Sequence, residues 1–162
     1  MAFEDSKPFV AALERKNFVV FDDWLKEKGA GYYHFCISLC LENVVLAQKL
    51  FEKSLRSALR AVPQANQSVD IWFYALLHKE WIKFARFKKI LAEDSQLMIT
   101  VDWNHPLGRQ HQEVLARLTP TEREIFLHRV MSGFNFNSLK EITGMKSDEI
   151  LAQFHTAVRK VM

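Results

Sequence analysis

"GFNFNSLKEITGMKSDEILAQFH", Gly133 to His155, sets its glycines and apolar residues at the spacing of a helix-turn-helix that reads DNA. The second of its two helices would carry arginine and lysine in a DNA reader. Here it presents Asp148, Glu149, Leu151, Ala152 and Gln153. Ile150, Phe154, Ala157, Val158 and Val161 form the inner stripe of that helix, which leaves Ala152, Gln153, Thr156 and Lys160 outward.

Upstream, "TPTE" (Thr119 to Glu122) is a capping box with proline at the first helical position. It predicts a helix to about Ser132, with Gly133 as its stop. A further helix precedes it, to about Leu118. Between Glu93 and Gly108 the periodicity fades, and Pro106 marks a linker over 94–107.

The part before the linker reads as nearly all helix. A first helix runs from Ser6 and Pro8 to about Lys16, and Phe18, Phe21 and Leu25 form a stripe that ends at the "GAG" of Gly29 to Gly31. Tyr32, Phe35, Cys36, Leu39 and Cys40 recur as on a helix buried on one side. From about Asn43 to Val62 comes a helix with Ala47, Phe51, Leu55, Ala58 and Val62 inward and Lys49, Glu52, Lys53, Arg56 and Arg60 outward. "PQANQS" is a turn, and "VDIWFYALLHKEWIKFARFKKI" is another amphipathic helix. The expected fold is all-α: two small helical domains, 1–93 and 108–162, joined by the linker 94–107, the second a helix-turn-helix.

Composition agrees with a soluble globular chain. Of 162 residues, 49% are apolar and 25% charged, and thirteen phenylalanines promise aromatic cores. A net charge of +3 excludes a polybasic tail, so any nucleic-acid surface must come from local clustering. No apolar run reaches the length of a membrane span and no signal peptide opens the chain, so the cytoplasm is the expected compartment, without membrane insertion.

Catalysis finds little support. His34, His78, His105, His111, His128 and His155 are scattered without metal-ligand spacing, and no phosphate loop, nucleophile elbow or zinc-protease motif occurs. His105, His111 and Asp102 share one loop region but lack a nearby second carboxylate or cysteine. Cys36 and Cys40 are expected as buried thiols. The expectation is therefore no enzyme, no metal and no cofactor.

One helix face stands apart. Lys79, Lys83 and Arg86 fall at i, i+4 and i+7, and Trp72 precedes Lys79 by two turns on the same side. Phe73, Leu77, Trp81, Phe84 and Leu91 take the opposite side. Cations neutralise phosphates, and a ring stacks on an unpaired base for roughly 1–3 kcal/mol. The alternative is a solvated lysine face.

Taken in order, these segments resemble a known family. "LARLTPTEREIFLHRVMSGFNFNSLKEITGMKSDEILAQFHTAVRK" is similar, without a gap, to the C-terminal domain of bacterial sigma factors of the extracytoplasmic-function type. Leu118, Pro120 (shifted by one), Arg123, Phe126, Gly133, Phe136, Leu139, Ile142, Gly144, Met145 and Ile150 occupy that family's positions. "LAQKLFEKSL" resembles its polymerase-binding helix, and "IWFYALLHKEWIKFARFKK" its promoter-melting helix, with Trp72 in register.

The resemblance implies a transcription initiation factor that binds core RNA polymerase through Gln48, Lys49, Phe51 and Glu52. It implies promoter DNA contacts by Trp72, Lys79, Lys83, Arg86, Lys146, Gln153, Arg159 and Lys160, and it leaves room for an anti-sigma factor as a further partner. Two places depart from the family pattern. The basic members of the recognition helix are Leu151 and Gln153 here, and the acids of the docking helix are Val45 and Lys49. The second expectation is therefore a sigma-like interaction protein that binds a regulator without reading promoters.

Overall fold

A computed structural model describes Phe9, Ala11, Glu14 and Arg15, then residues 18–63, 67–91 and 113–162, with the backbone alone for 85–91. Most of the helix expected from Ser6 to Lys16, and the whole linker 94–107 with Asp102 and His105, lie outside the described residues. So does His111.

The described secondary structure is entirely helical: α1 (Phe18–Leu39), α2 (Val44–Arg60), α3 (Val69–Leu91), α4 (Pro120–Val130), α5 (Phe136–Thr143) and α6 (Ser147–Val161). A helical turn at 113–116 precedes α4.

The first helix corrects an expectation. α1 runs unbroken through Gly29-Ala30-Gly31, where a stop was expected. Each glycine costs a helix about 1 kcal/mol relative to alanine. Burial on both sides of the triplet outweighs that cost: Phe21 and Trp24 lie before it, and Tyr32, Phe35, Cys36 and Leu39 after it, all buried. At Gly29 a Cβ would stand 3.1 Å from Leu25 Cδ1, so this glycine also makes room for its neighbour. α1 then reverses through Leu41 and Glu42, both left-handed with φ of 55° and 62°, and the Asn43 side chain accepts from Leu46 N–H at 3.1 Å to open α2.

α1, α2 and α3 pack against one another around rings. Trp24 and Phe35 are fully buried with Phe73, and Tyr32 stacks on Phe73 at 4.4 Å. Trp24 Nε1 donates to the Tyr32 hydroxyl, which donates in turn to Asp70 of α3. Cys36 and Cys40 are buried, as expected. Burial, with Cys40 beside it, pushes the Cys36 thiol well up. Val62, expected inward, is 46% exposed because α2 ends at Arg60.

The capping box before α4 forms as the sequence requires. Thr119 Oγ1 accepts from Glu122 N–H at 3.2 Å, and Glu122 Oε1 accepts from Thr119 N–H at 2.9 Å. α4 ends at Val130, and Phe134 N–H returns to His128 O at 3.1 Å across left-handed Gly133.

α5 starts on Asn135, whose side chain accepts from Ser138 N–H at 2.8 Å, and stops on Gly144 at φ 70°. Ile125, Leu139 and Ile150 form a small core under these helices, with Phe134, Phe136, Met145 and Phe154 packed on it. A Cβ at Gly144 would touch nothing within 4 Å, so only backbone strain opposes a side chain there. Gly144→Ala is expected to cost about 1–2 kcal/mol in urea denaturation, and Gly144→Asn clearly less, because asparagine tolerates this conformation.

One buried cluster runs through both halves of the chain, from Trp24 and Phe35 to Leu115, Leu127 and Ala157. α1 meets α4, and α3 meets α5. His128, fully buried, stacks on Phe35 at 4.5 Å and meets Tyr74 edge-on at 5.0 Å. Trp81 Nε1 donates to Pro120 O at 3.2 Å across the same seam.

Candidate nucleic-acid interface

The side chains that α3 turns outward begin with Lys79 and Lys83. Lys79 is exposed, and Lys83 keeps 64% of its side chain exposed while its Nζ lies 3.4 Å from Glu80 Oε1. Leu77 and Phe73 on the opposite side are fully buried and Trp81 is nearly so. The amphipathic reading of this helix therefore holds at its centre. The backbone of Arg86 is helical, and its side chain lies outside the described residues.

Trp72 is the correction. The spacing set its ring beside the lysines on an open face, yet it is 4% exposed. Phe9 meets it edge-on at 5.5 Å and Trp24 lies 5.8 Å away, so residues from two other segments cover the start of α3. An indole that buries roughly 150–250 Å² gains ~4–6 kcal/mol. A base stack returns roughly 1–3 kcal/mol. Burial wins, even though Trp72 Nε1 meets no hydrogen-bond partner among the described residues.

On α2, Gln48, Lys49 and Glu52 are exposed. Phe51 is half-buried, packed against Tyr33 at 5.6 Å and Phe73 at 6.3 Å, in keeping with its place on the inner stripe of this helix.

In the last helix, Lys146 is exposed at the N-cap position without a side-chain cap, Gln153 is half-buried, and Arg159 is exposed with Nε donating to His155 O at 3.5 Å. Lys160 is engaged elsewhere. Its Nζ lies 2.7 Å from Glu122 Oε1, which ties the last turn of α6 to the capping box of α4. Burial alone would raise the Glu122 carboxyl, but Lys160 and the Thr119 N–H and hydroxyl hold it below the usual range. The open face of α6 shows Asp148, Glu149, Leu151, Ala152, His155 and Arg159, in which acids outnumber the arginine.

A polar cluster outside the expectations above lies buried between the halves. Arg123 is 2% exposed and hydrogen-bonds three carbonyls, those of Leu39, Leu115 and Leu118. Beside it, Glu124 is 1% exposed with both oxygens 2.8 Å from His78 Nδ1. His128 Nε2 stands 3.7 Å from Glu124 Oε2, beyond hydrogen-bond reach but within that of an ion pair. The one available signal was α4 itself, whose polar residues leave no clean apolar stripe: Glu122, Arg123, Glu124 and His128 are all buried.

Among the described residues, no group of three or more His, Cys, Asp or Glu is placed to hold a metal ion. No described helix is long and apolar enough to cross a membrane. No family model matches the chain, and no curated protein is significantly similar to it.

Proposed function

We propose that this chain is a sigma-type initiation factor that joins core RNA polymerase and directs it to promoter DNA, acting in the cytoplasm. In this reading 1–93 and 108–162 are its two domains, and α5 and α6 are the helix-turn-helix. What carries the reading is the pairing of α5 and α6 through left-handed Gly144, with the outer side of α6 uncovered. Lys79, Lys83 and Arg86 meet the opened strand, without Trp72. Lys146, Gln153 and Arg159 meet the duplex, and Gln153 is able to pair with adenine. Gln48, Lys49 and Glu52 face the polymerase. The protein makes and breaks no bond itself.

Run-off transcription with purified core enzyme tests this reading. A promoter-dependent transcript from a genomic template is the expected result; no such transcript on any template would refute it.

A second reading has its own observation. Asp148 and Glu149 on the open face of α6 repel phosphate, and Lys160 is held by Glu122. A scaffold of this kind serves as an interaction protein that captures an anti-sigma-type regulator. Recovery of such a regulator without polymerase subunits in a pull-down would favour it.

A further inference from the structure

The outward row of α6 reads Asp148, Ala152, His155 and Arg159, at i, i+4, i+7 and i+11, and all four are exposed. Ile150 and Ala157 are buried on the inner side, and α4 and α5 pack against this helix. Two carboxylates, Asp148 and Glu149, stand in the first turn, and Arg159 stands in the last. At ~1.5 Å per residue Asp148 and Arg159 are roughly 16 Å apart along the axis, too far to pair with each other. Among the described residues none of these three side chains is in an ion pair. The neighbouring cations stand aside. Lys160 is turned to Glu122, and Lys146 precedes Asp148 by two residues, about 200° round the axis.

This row is complementary to itself. A two-fold axis set halfway between Gln153 and Phe154 lays a second α6 antiparallel on the first. Asp148 then faces Arg159 of the second copy, Ala152 faces its His155, and the same pairs recur on the other side of the axis. Glu149 shares the turn of Asp148, so each arginine meets two acids. A parallel arrangement would instead set acids against acids and arginine against arginine, which is unfavourable.

Apolar contact supports the same register. Leu151, 42% exposed, and half-buried Val158 lie on one flank of the row, and the antiparallel pairing lays each Leu151 on the second copy's Val158. Ala152 beside the two-fold is small enough for the axes to approach to ~8–10 Å. A face of about three turns falls short of the ~1,200 Å² of a stable interface, so the pairing is transient.

We infer that two copies of this chain pair through α6, antiparallel, with Asp148 and Glu149 of each against Arg159 of the other. The contact is isologous and closes at two copies. It covers the face proposed above to read a duplex, so on that reading self-association and DNA compete. The pairing itself needs neither DNA nor polymerase.

Sedimentation equilibrium of the full chain alone tests it, from about 20 to about 500 µM protein at low salt, the range suited to a small interface. The wild type is expected to pass from monomer toward dimer over this range, and less so at high salt, where exposed charges are screened. Asp148→Lys/Glu149→Lys makes both ends of the row basic, and Arg159→Glu makes both acidic. Each variant is expected to associate at least about tenfold more weakly. An equimolar mixture of the two should regain the dimer, because introduced lysines meet the introduced glutamate at one end and the native groups meet at the other. The positions are exposed, and unchanged circular dichroism confirms that each variant is folded.

A wild type that stays monomeric at the highest concentration would overturn the inference and leave this face to a duplex or a regulator. Wild-type dimerisation of either variant alone would place the contact on another surface, and a mixture that stays monomeric would refute the antiparallel register. None of these outcomes alters the result of run-off transcription, so the two readings fail separately.

Discussion

Arg123→Ala is expected to destabilise the protein by about 3–5 kcal/mol, read as a lower urea midpoint at pH 7. Nε donates to Leu115 O at 3.1 Å, one terminal nitrogen to Leu39 O at 2.9 Å and the other to Leu118 O at 3.1 Å. Burial lowers the guanidinium to about 10, which still leaves it protonated at neutral pH. α1 has no basic residue in its last turn, so Arg123 supplies from α4 the cation that favours this helix end. Alanine would strand the Leu39 and Leu118 carbonyls, leave Leu115 O with the Leu118 N–H alone, and open a cavity. Lysine, a point charge without the planar fork, should recover less than half of the loss. A midpoint shift in Arg123→Ala no larger than that of a surface substitution would refute this account.

Glu124→Leu is expected to cost about 3–5 kcal/mol at pH 7, because it leaves two buried imidazoles without their carboxylate. Burial by itself would raise the Glu124 carboxyl; His128 and His78 together hold it below the ordinary range. An ionised carboxylate only accepts, so His78 Nδ1 carries the proton between them.

The sign follows from the lowered value. The stabilisation is fully present above the ordinary carboxylate pKa, near 4.5 here, and is lost as pH falls through the lower folded value. The groups facing Glu124 are His78 from α3 and His128 on α4 itself, with Tyr74 of α3 edge-on to the His128 ring. Urea midpoints between pH 7 and pH 3 should fall more steeply in the wild type than in Glu124→Leu or Glu124→Gln. Parallel curves would show that Glu124 is not the group responsible.

Local chemistry explains which parts of the fold were legible. Asn43 opens α2, Thr119 and Glu122 open α4, and Gly144 closes α5, each through bonds to residues three or four positions away. What was hidden depends on distant partners. The bond from Arg123 to Leu39 spans 84 positions, and that between His78 and Glu124 spans 46. The spacing of Trp72 was read correctly, but its cover comes from Phe9 and Trp24. The glycines of α1 looked like punctuation because their local cost is visible in sequence and the burial that outweighs it is not. For the candidate site, the exposure of Lys79 and Lys83 was legible from helical period alone, whereas the pairing of Lys160 with Glu122 required knowing which helices are neighbours.

The placement of the tryptophans gives the protein an optical gauge of its own. Trp24 and Trp72 sit wholly within the N-terminal half, while Trp81 reaches across to the carbonyl of Pro120. Of the four tryptophans, three lie among the described residues; parting the halves would hydrate one of these and complete denaturation all three, so with Trp103 replaced by phenylalanine the two are different spectral events. The red shift of tryptophan emission therefore separates a hinge-like opening from loss of structure without any attached dye.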